Sequence, residues 1–121
     1  MFRQDKAGIK NIAVSGAEMV AEIAAKNPAT QWQFQYSPES FTGTELDYAV
    51  EVCDAVNTIW QPTPDNKVII NLPATVEMST PNIHADQIEW MSTHLANRDA
   101  ITLSLHPVSY THLTLPTILL V

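Results

Sequence analysis

The sequence predicts an α/β fold built on a small parallel sheet, and three observations carry that expectation. First, Val68–Glu77 reads Val-Ile-Ile-Asn-Leu-Pro-Ala-Thr-Val-Glu. It is an apolar, β-branched run of strand length in which Val68, Ile70 and Leu72 share one parity and Asn71, Pro73 and Thr75 the other. Second, the alternation recurs on either side. Upstream, Trp32, Phe34 and Tyr36 alternate with Gln33, Gln35, Ser37 and Glu39; downstream, Ile101, Leu103 and Leu105 alternate with Thr102, Ser104 and His106. Third, the three segments begin about 34 residues apart with a helical stretch between each pair, which is the period of a βα unit. In parallel sheets ligands bind outside the carboxyl ends of the strands, so Ser37, Glu39, Asn71, Thr75 and His106 are expected to converge on one mouth.

Each element has its own local reason. From Asp5 to Asn27, Ile9, Ile12, Met19 and Ile23 recur at helical steps around Gly16, predicting an amphipathic helix that Asn27-Pro28 stops. A short loop delivers the first strand, Gln31–Tyr36. Thr42 stands three residues before Glu45 and Thr44 three before Asp47, two candidate capping boxes for a second helix. The core stripe of that helix is Leu46, Ala49, Val50, Cys53, Val56 and Trp60, and Pro62-Thr63-Pro64-Asp65-Asn66 closes it as a turn. After the central strand, Met78–Asn82 reads as a surface loop before a third helix with Ile88, Met91 and Leu95 on one stripe. The third strand, Ala100–Leu105, follows.

Composition narrows the function. Six Lys plus Arg against thirteen Asp plus Glu give a formal charge of −7, which repels phosphate backbones and argues against a nucleic-acid partner. No apolar run approaches the roughly 20 residues needed to cross a bilayer, and the opening residues do not read as a signal peptide, so no membrane role and a cytoplasmic location are expected. Cys53 is the only cysteine, which excludes an internal disulfide and a cysteine-based metal site within the chain.

Beyond Pro107 the pattern breaks. Val108–Val121 carries no charge, no capping signal and no helical stripe where a fourth helix is due. This segment resembles the in-frame translation of a sequencing-library adapter. Residues 108–121 are therefore read as a non-native tail.

Six blocks carry a family resemblance: Phe34–Phe41 (Phe-Gln-Tyr-Ser-Pro-Glu-Ser-Phe), Thr44–Asp47, Ile69–Glu77, Thr80–Asn82, Ala85–Trp90 and Leu103–Pro107. In this order they resemble the isopropylmalate and homocitrate synthase family of metal-dependent, Claisen-condensing acyltransferases. The resemblance implies that residues 1–107 are a piece of the catalytic domain, a partial (β/α)8 TIM barrel of about three βα units corresponding to strands five to seven. It also implies acetyl-CoA and a 2-oxo acid as substrates, a homodimer, and a divalent metal (Mg, Mn or Zn). The family holds that metal with an Asp at the end of strand one and a His-x-His pair at the end of strand seven. His106 matches the first histidine of the pair; the second would fall at Val108, and the Asp has no counterpart here. Ser37, Asn71, Pro73 and Thr75 are placed around the oxo-acid pocket, and Glu39 is the catalytic candidate, orienting groups or shuttling protons near the metal. The block Trp60–Glu77 looks like members that condense acetyl-CoA with 3-methyl-2-oxobutanoate. Homocitrate and citramalate formation are the alternatives within the family, and a non-catalytic module binding a small ligand is the alternative outside it.

Structural readings stand beside these. His106 can be a satisfied histidine in a polar layer, Glu39 a helix cap or a solvated carboxylate, and Asn71 a shaper of the strand exit. His84 and His94 are expected to be exposed helix residues, Cys53 a small core residue, and Trp60 and Trp90 packing anchors. Glu45 and Glu77 are expected to cap or to face solvent.

Overall fold

The computed structural model describes residues 4–74, 76 and 78–107. Three helices, α1 (Lys6–Ala25), α2 (Leu46–Trp60) and α3 (Pro81–His94), alternate with β1 (Gln35–Tyr36), β2 (Val68–Ala74) and β3 (Ile101–Pro107). All pairings are parallel and the order is β1-β2-β3, so the expected α/β class with a parallel sheet is what the chain forms. The helices connect parallel strands because no short turn can return the chain to the same end of the sheet.

One face of the sheet holds the core. Val68, Ile70 and Leu72 of β2 pack with Ala49 and Cys53 of α2, with Met91 and with Leu95, while Phe34, Tyr36 and Leu103 flank them half-buried. The predicted stripes of α2 and α3 are the ones that face the sheet. Cys53 is the small core residue expected; burial and then the charge of Asp54 push its thiol up to about 12. Trp60 anchors as expected: its ring lies 4.9 Å from that of Phe34, and its Nε1 donates to the Ala17 carbonyl at 2.9 Å. The Pro62–Asn66 turn closes through paired Thr63 and Asn66 backbone bonds of 3.2 and 3.0 Å.

Three expectations need correction, and the amphipathic helix expected over Asp5–Asn27 forms as α1 with a stripe direction that periodicity does not give: Ile9, Ile12, Met19, Val20 and Ile23 are 39–63% exposed. The buried residues of α1 are Ala17 and Ala24, small enough to let it lie close along α2. Tyr48 Oη, donating to the Lys6 carbonyl at 2.7 Å, and Trp60 Nε1 tie the two helices together. The first strand is two residues long rather than six. With Gln35 opposite Ile69, residues upstream of Phe34 face the Pro62–Asn66 turn, which offers no extended partner; Gln33 reaches the Lys67 carbonyl only through its side chain, at 3.3 Å. Neither capping box forms. Thr44 Oγ1 turns back to the Ser40 carbonyl at 3.0 Å, Thr42 Oγ1 leaves for Val76, and a 3-10 turn, Phe41–Gly43, precedes α2. Finally, His84 is 6% exposed. Its spacing of four, three and four residues through Ile88, Met91 and Leu95 puts it on the inward stripe of α3. His94 is exposed as expected and stacks on Trp90 at 3.9 Å.

Candidate functional site

The sheet face opposite the helices carries the polar residues, and the register sets them in rows. Parallel pairing places Asn71 opposite Ser104 and Pro73 opposite His106. Continuing the β1–β2 register one step past Tyr36 and Ile70 brings Ser37 opposite Asn71. Asn71 Nδ2 in fact donates to Ser37 Oγ at 3.2 Å. Strand spacing of ~4.8 Å and a two-residue rise of ~6.6 Å make the Ser37–Asn71–Ser104 row and the Pro73–His106 row a patch of ~10 by ~7 Å. That is the scale of a small organic acid.

The members differ in setting. Asn71 is 7% exposed, on the buried central strand, where an amide requires a partner and has one in Ser37. Pro73 removes one donor from the strand and shapes its exit; it is buried. His106, the last residue but one of β3, is exposed. Glu39 is exposed in the loop after β1 and borders a cleft of about 500 Å³ whose other walls include Ile9, Ile12, Tyr36 and Tyr48. Beside it Tyr36 is half-buried, and desolvation, followed by the influence of Cys53 and Tyr48, pushes its phenol up to about 12. Ser40, the next residue along from Glu39, takes a left-handed conformation with φ 58°, turning the chain so that Phe41 enters the core. Thr75, named from the sequence as a site residue, lies outside the described residues, as do Glu77 and the tail from Val108. Glu45 is the exposed N-cap residue of α2 with no side-chain cap bond. A hydrogen bond with its own backbone, then the Lys6 ammonium at 3.1 Å, lowers its carboxyl pKa.

Sequence reasoning left out Ser104, which the register places in the same row as Ser37 and Asn71. The signal was available: residues 37, 71 and 104 repeat the period of the units. Among the described residues no group of three His, Cys, Asp or Glu side chains could hold a metal ion. His106 alone does not fit a divalent cation, which takes three or four protein ligands.

A parallel sheet packed by helices on one face, with amide, hydroxyl and imidazole groups in rows toward the strand ends of the other, is the class of architecture in which βα-barrels place their ligand sites. Residues 1–111 match the family model described as HMGL-like, and the chain belongs to that family. It forms a partial barrel of three parallel strands. Among curated relatives, the chain is 62% identical over 107 residues to a protein of Ralstonia pickettii (strain 12J) named 2-isopropylmalate synthase. Proteins of the same name from Mycobacterium ulcerans (strain Agy99) and Azoarcus sp. (strain BH72) are 63% and 64% identical over the same length. Each match covers 88% of this chain, and the chain spans 19% of each relative's length.

Proposed function

We propose that this chain is part of a 2-isopropylmalate synthase that joins acetyl-CoA to 3-methyl-2-oxobutanoate in leucine biosynthesis. The observation that carries the reading is identity above 60% over 107 of the 121 residues to proteins of that name. The open side of α1 supports membership of a larger body, because a stripe of five large apolar side chains normally has a covering element.

In this reading Ser37, Asn71 and Thr75 bind the carboxylate and carbonyl oxygens of the oxo acid, and Pro73 fixes the strand exit beside them. The Asn71 amide already orients the Ser37 hydroxyl, so less ordering remains for the bound state. Glu39, at the strand mouth and in water, orients the reacting groups or relays a proton. His106 would supply one imidazole to a divalent metal, whose other ligands would come from outside the described residues. The whole protein is proposed to be a cytoplasmic homodimer, and no described helix is long and apolar enough to cross a membrane. Val108–Val121 is proposed to be foreign to it; the alignments to relatives span 106 or 107 residues, although the family match runs on to residue 111.

The test is turnover of the full-length protein, following coenzyme A thiol release with acetyl-CoA and each of 3-methyl-2-oxobutanoate, 2-oxoglutarate and pyruvate. A preference for the branched acid is expected. Preference for either of the others would overturn the assignment.

A further inference from the structure

We propose that Thr42 is a positioning residue that clamps the loop carrying Glu39 to the loop following β2, and thereby sets the geometry of the oxo-acid pocket. Thr42 Oγ1 donates to the Val76 carbonyl at 2.7 Å, across 34 residues of sequence. The Val76 side chain is 63% exposed, so packing of that side chain does not hold its backbone in place. One residue further on, the loops meet again: a Cβ at Gly43 would lie 3.6 Å from Met78 Sδ, in ordinary contact.

On the other side the clamp is rigid. Phe41 is almost fully buried in the core, and Ser40, held left-handed, separates that peg from Glu39. The short 3-10 turn Phe41–Gly43 therefore has one end driven into the core and the other bonded to the next strand's loop. Below it, the bond from Asn71 to Ser37 joins the same two segments at the sheet itself. Two cross-links about one strand end apart leave the β1 and β2 exits little freedom to separate. Val76 adjoins Thr75, so the clamp acts one peptide away from a residue placed on the oxo acid.

The kinetic consequence rests on the proposed synthase reading; the clamp itself does not. The experiment compares Thr42→Val, which keeps the β-branched shape and loses the hydroxyl, with Thr42→Ser, which keeps the hydroxyl, in the full-length protein. Two quantities are read: amide hydrogen exchange of segments 37–44 and 76–80, and the KM for 3-methyl-2-oxobutanoate against kcat. Loss of one such bond corresponds to a roughly three- to tenfold change. Thr42→Val is expected to speed exchange in both segments by that factor and to raise the oxo-acid KM similarly, with kcat and the acetyl-CoA KM within about twofold. Thr42→Ser is expected to restore both. Exchange that stays unchanged, or rises in one segment only, overturns the clamp. Paired loosening with an unchanged oxo-acid KM in a protein that does turn over overturns the positioning role. If the unsubstituted protein makes no product, the synthase reading fails by itself, and the exchange result still upholds or overturns the clamp.

Discussion

Replacing Asn71 with alanine separates holding the sheet from holding a ligand. The side chain is 7% exposed and gives one hydrogen bond of 3.2 Å, at the long end of the range, to a half-buried hydroxyl. Net loss of such a bond is ~0.5–1.5 kcal/mol, and with the small void left on the central strand the whole change is ~1–2 kcal/mol. Leu72→Ala is the comparison. Its side chain is fully buried in the core on the opposite face, and its truncation is expected to be the more destabilising, at ~2–5 kcal/mol. Kinetically the order reverses. An amide that donates to a carboxylate is worth ~1.5–3 kcal/mol, or roughly ten- to a hundredfold in kcat/KM. Leu72→Ala should leave kcat/KM per folded molecule within about twofold. Urea unfolding and steady-state turnover of the full-length protein measure the two quantities. If Asn71→Ala lowers stability as stated yet keeps kcat/KM within about twofold, Asn71 serves the strand exit and not the ligand.

Alkaline pH should destabilise the chain through one buried acid and one half-buried one. The Cys53 thiol is raised from 9.0 and the Tyr36 phenol from 10.0, each to about 12, so the unfolded chain releases protons that the folded chain retains. Their stabilisation is complete below about pH 9 and is lost as pH rises toward 12, with a limiting slope of ~1.4 kcal/mol per pH unit per group. The urea midpoint should fall between pH 9 and 11, and Cys53→Ala should flatten the first part of the fall; a level midpoint in the unsubstituted chain would refute the burial argument. On α1, the triple change Ile12→Lys, Met19→Lys and Ile23→Lys removes exposed apolar surface and should raise the solubility of the 121-residue chain, whereas in the full-length protein it should lower Tm by several degrees. Equal behaviour in both would show that nothing covers this face.

The sheet and its strand parity were legible because each rests on local periodicity. A buried strand such as Val68–Ala74 must be apolar on its packed face, and a repeat of about 34 residues leaves few topologies besides a parallel one. Direction was not legible for α1. Periodicity reveals a greasy stripe but not its partner, and here alanines made the close approach to α2 while the larger residues stayed outside. The capping threonines misled for a related reason: a hydroxyl bonds whichever carbonyl the fold brings near, and Val76 is supplied by another unit. His84 is buried because its place on the inward stripe of α3 outweighs the usual exposure of a histidine. Of the site, the parity supplied the row containing Ser37 and Asn71, but the contact between them and the place of Ser104 required the register.

The ties between neighbouring strands share a nearly constant chain length. Ser37 to Asn71 and Thr42 to Val76 each span 34 residues, and β1 and β3 both pair with β2 rather than with each other. Closing a flexible loop of that length costs ~3 kcal/mol beyond a fixed term, and doubling it would add only ~0.6 kcal/mol. Chain entropy alone therefore favours neighbour pairing weakly, and the preference for it comes from the contacts each new strand gains on arrival. A sheet extended in this way meets the same closure penalty at every step, and a unit added or removed at one edge leaves the loops already closed unchanged in length.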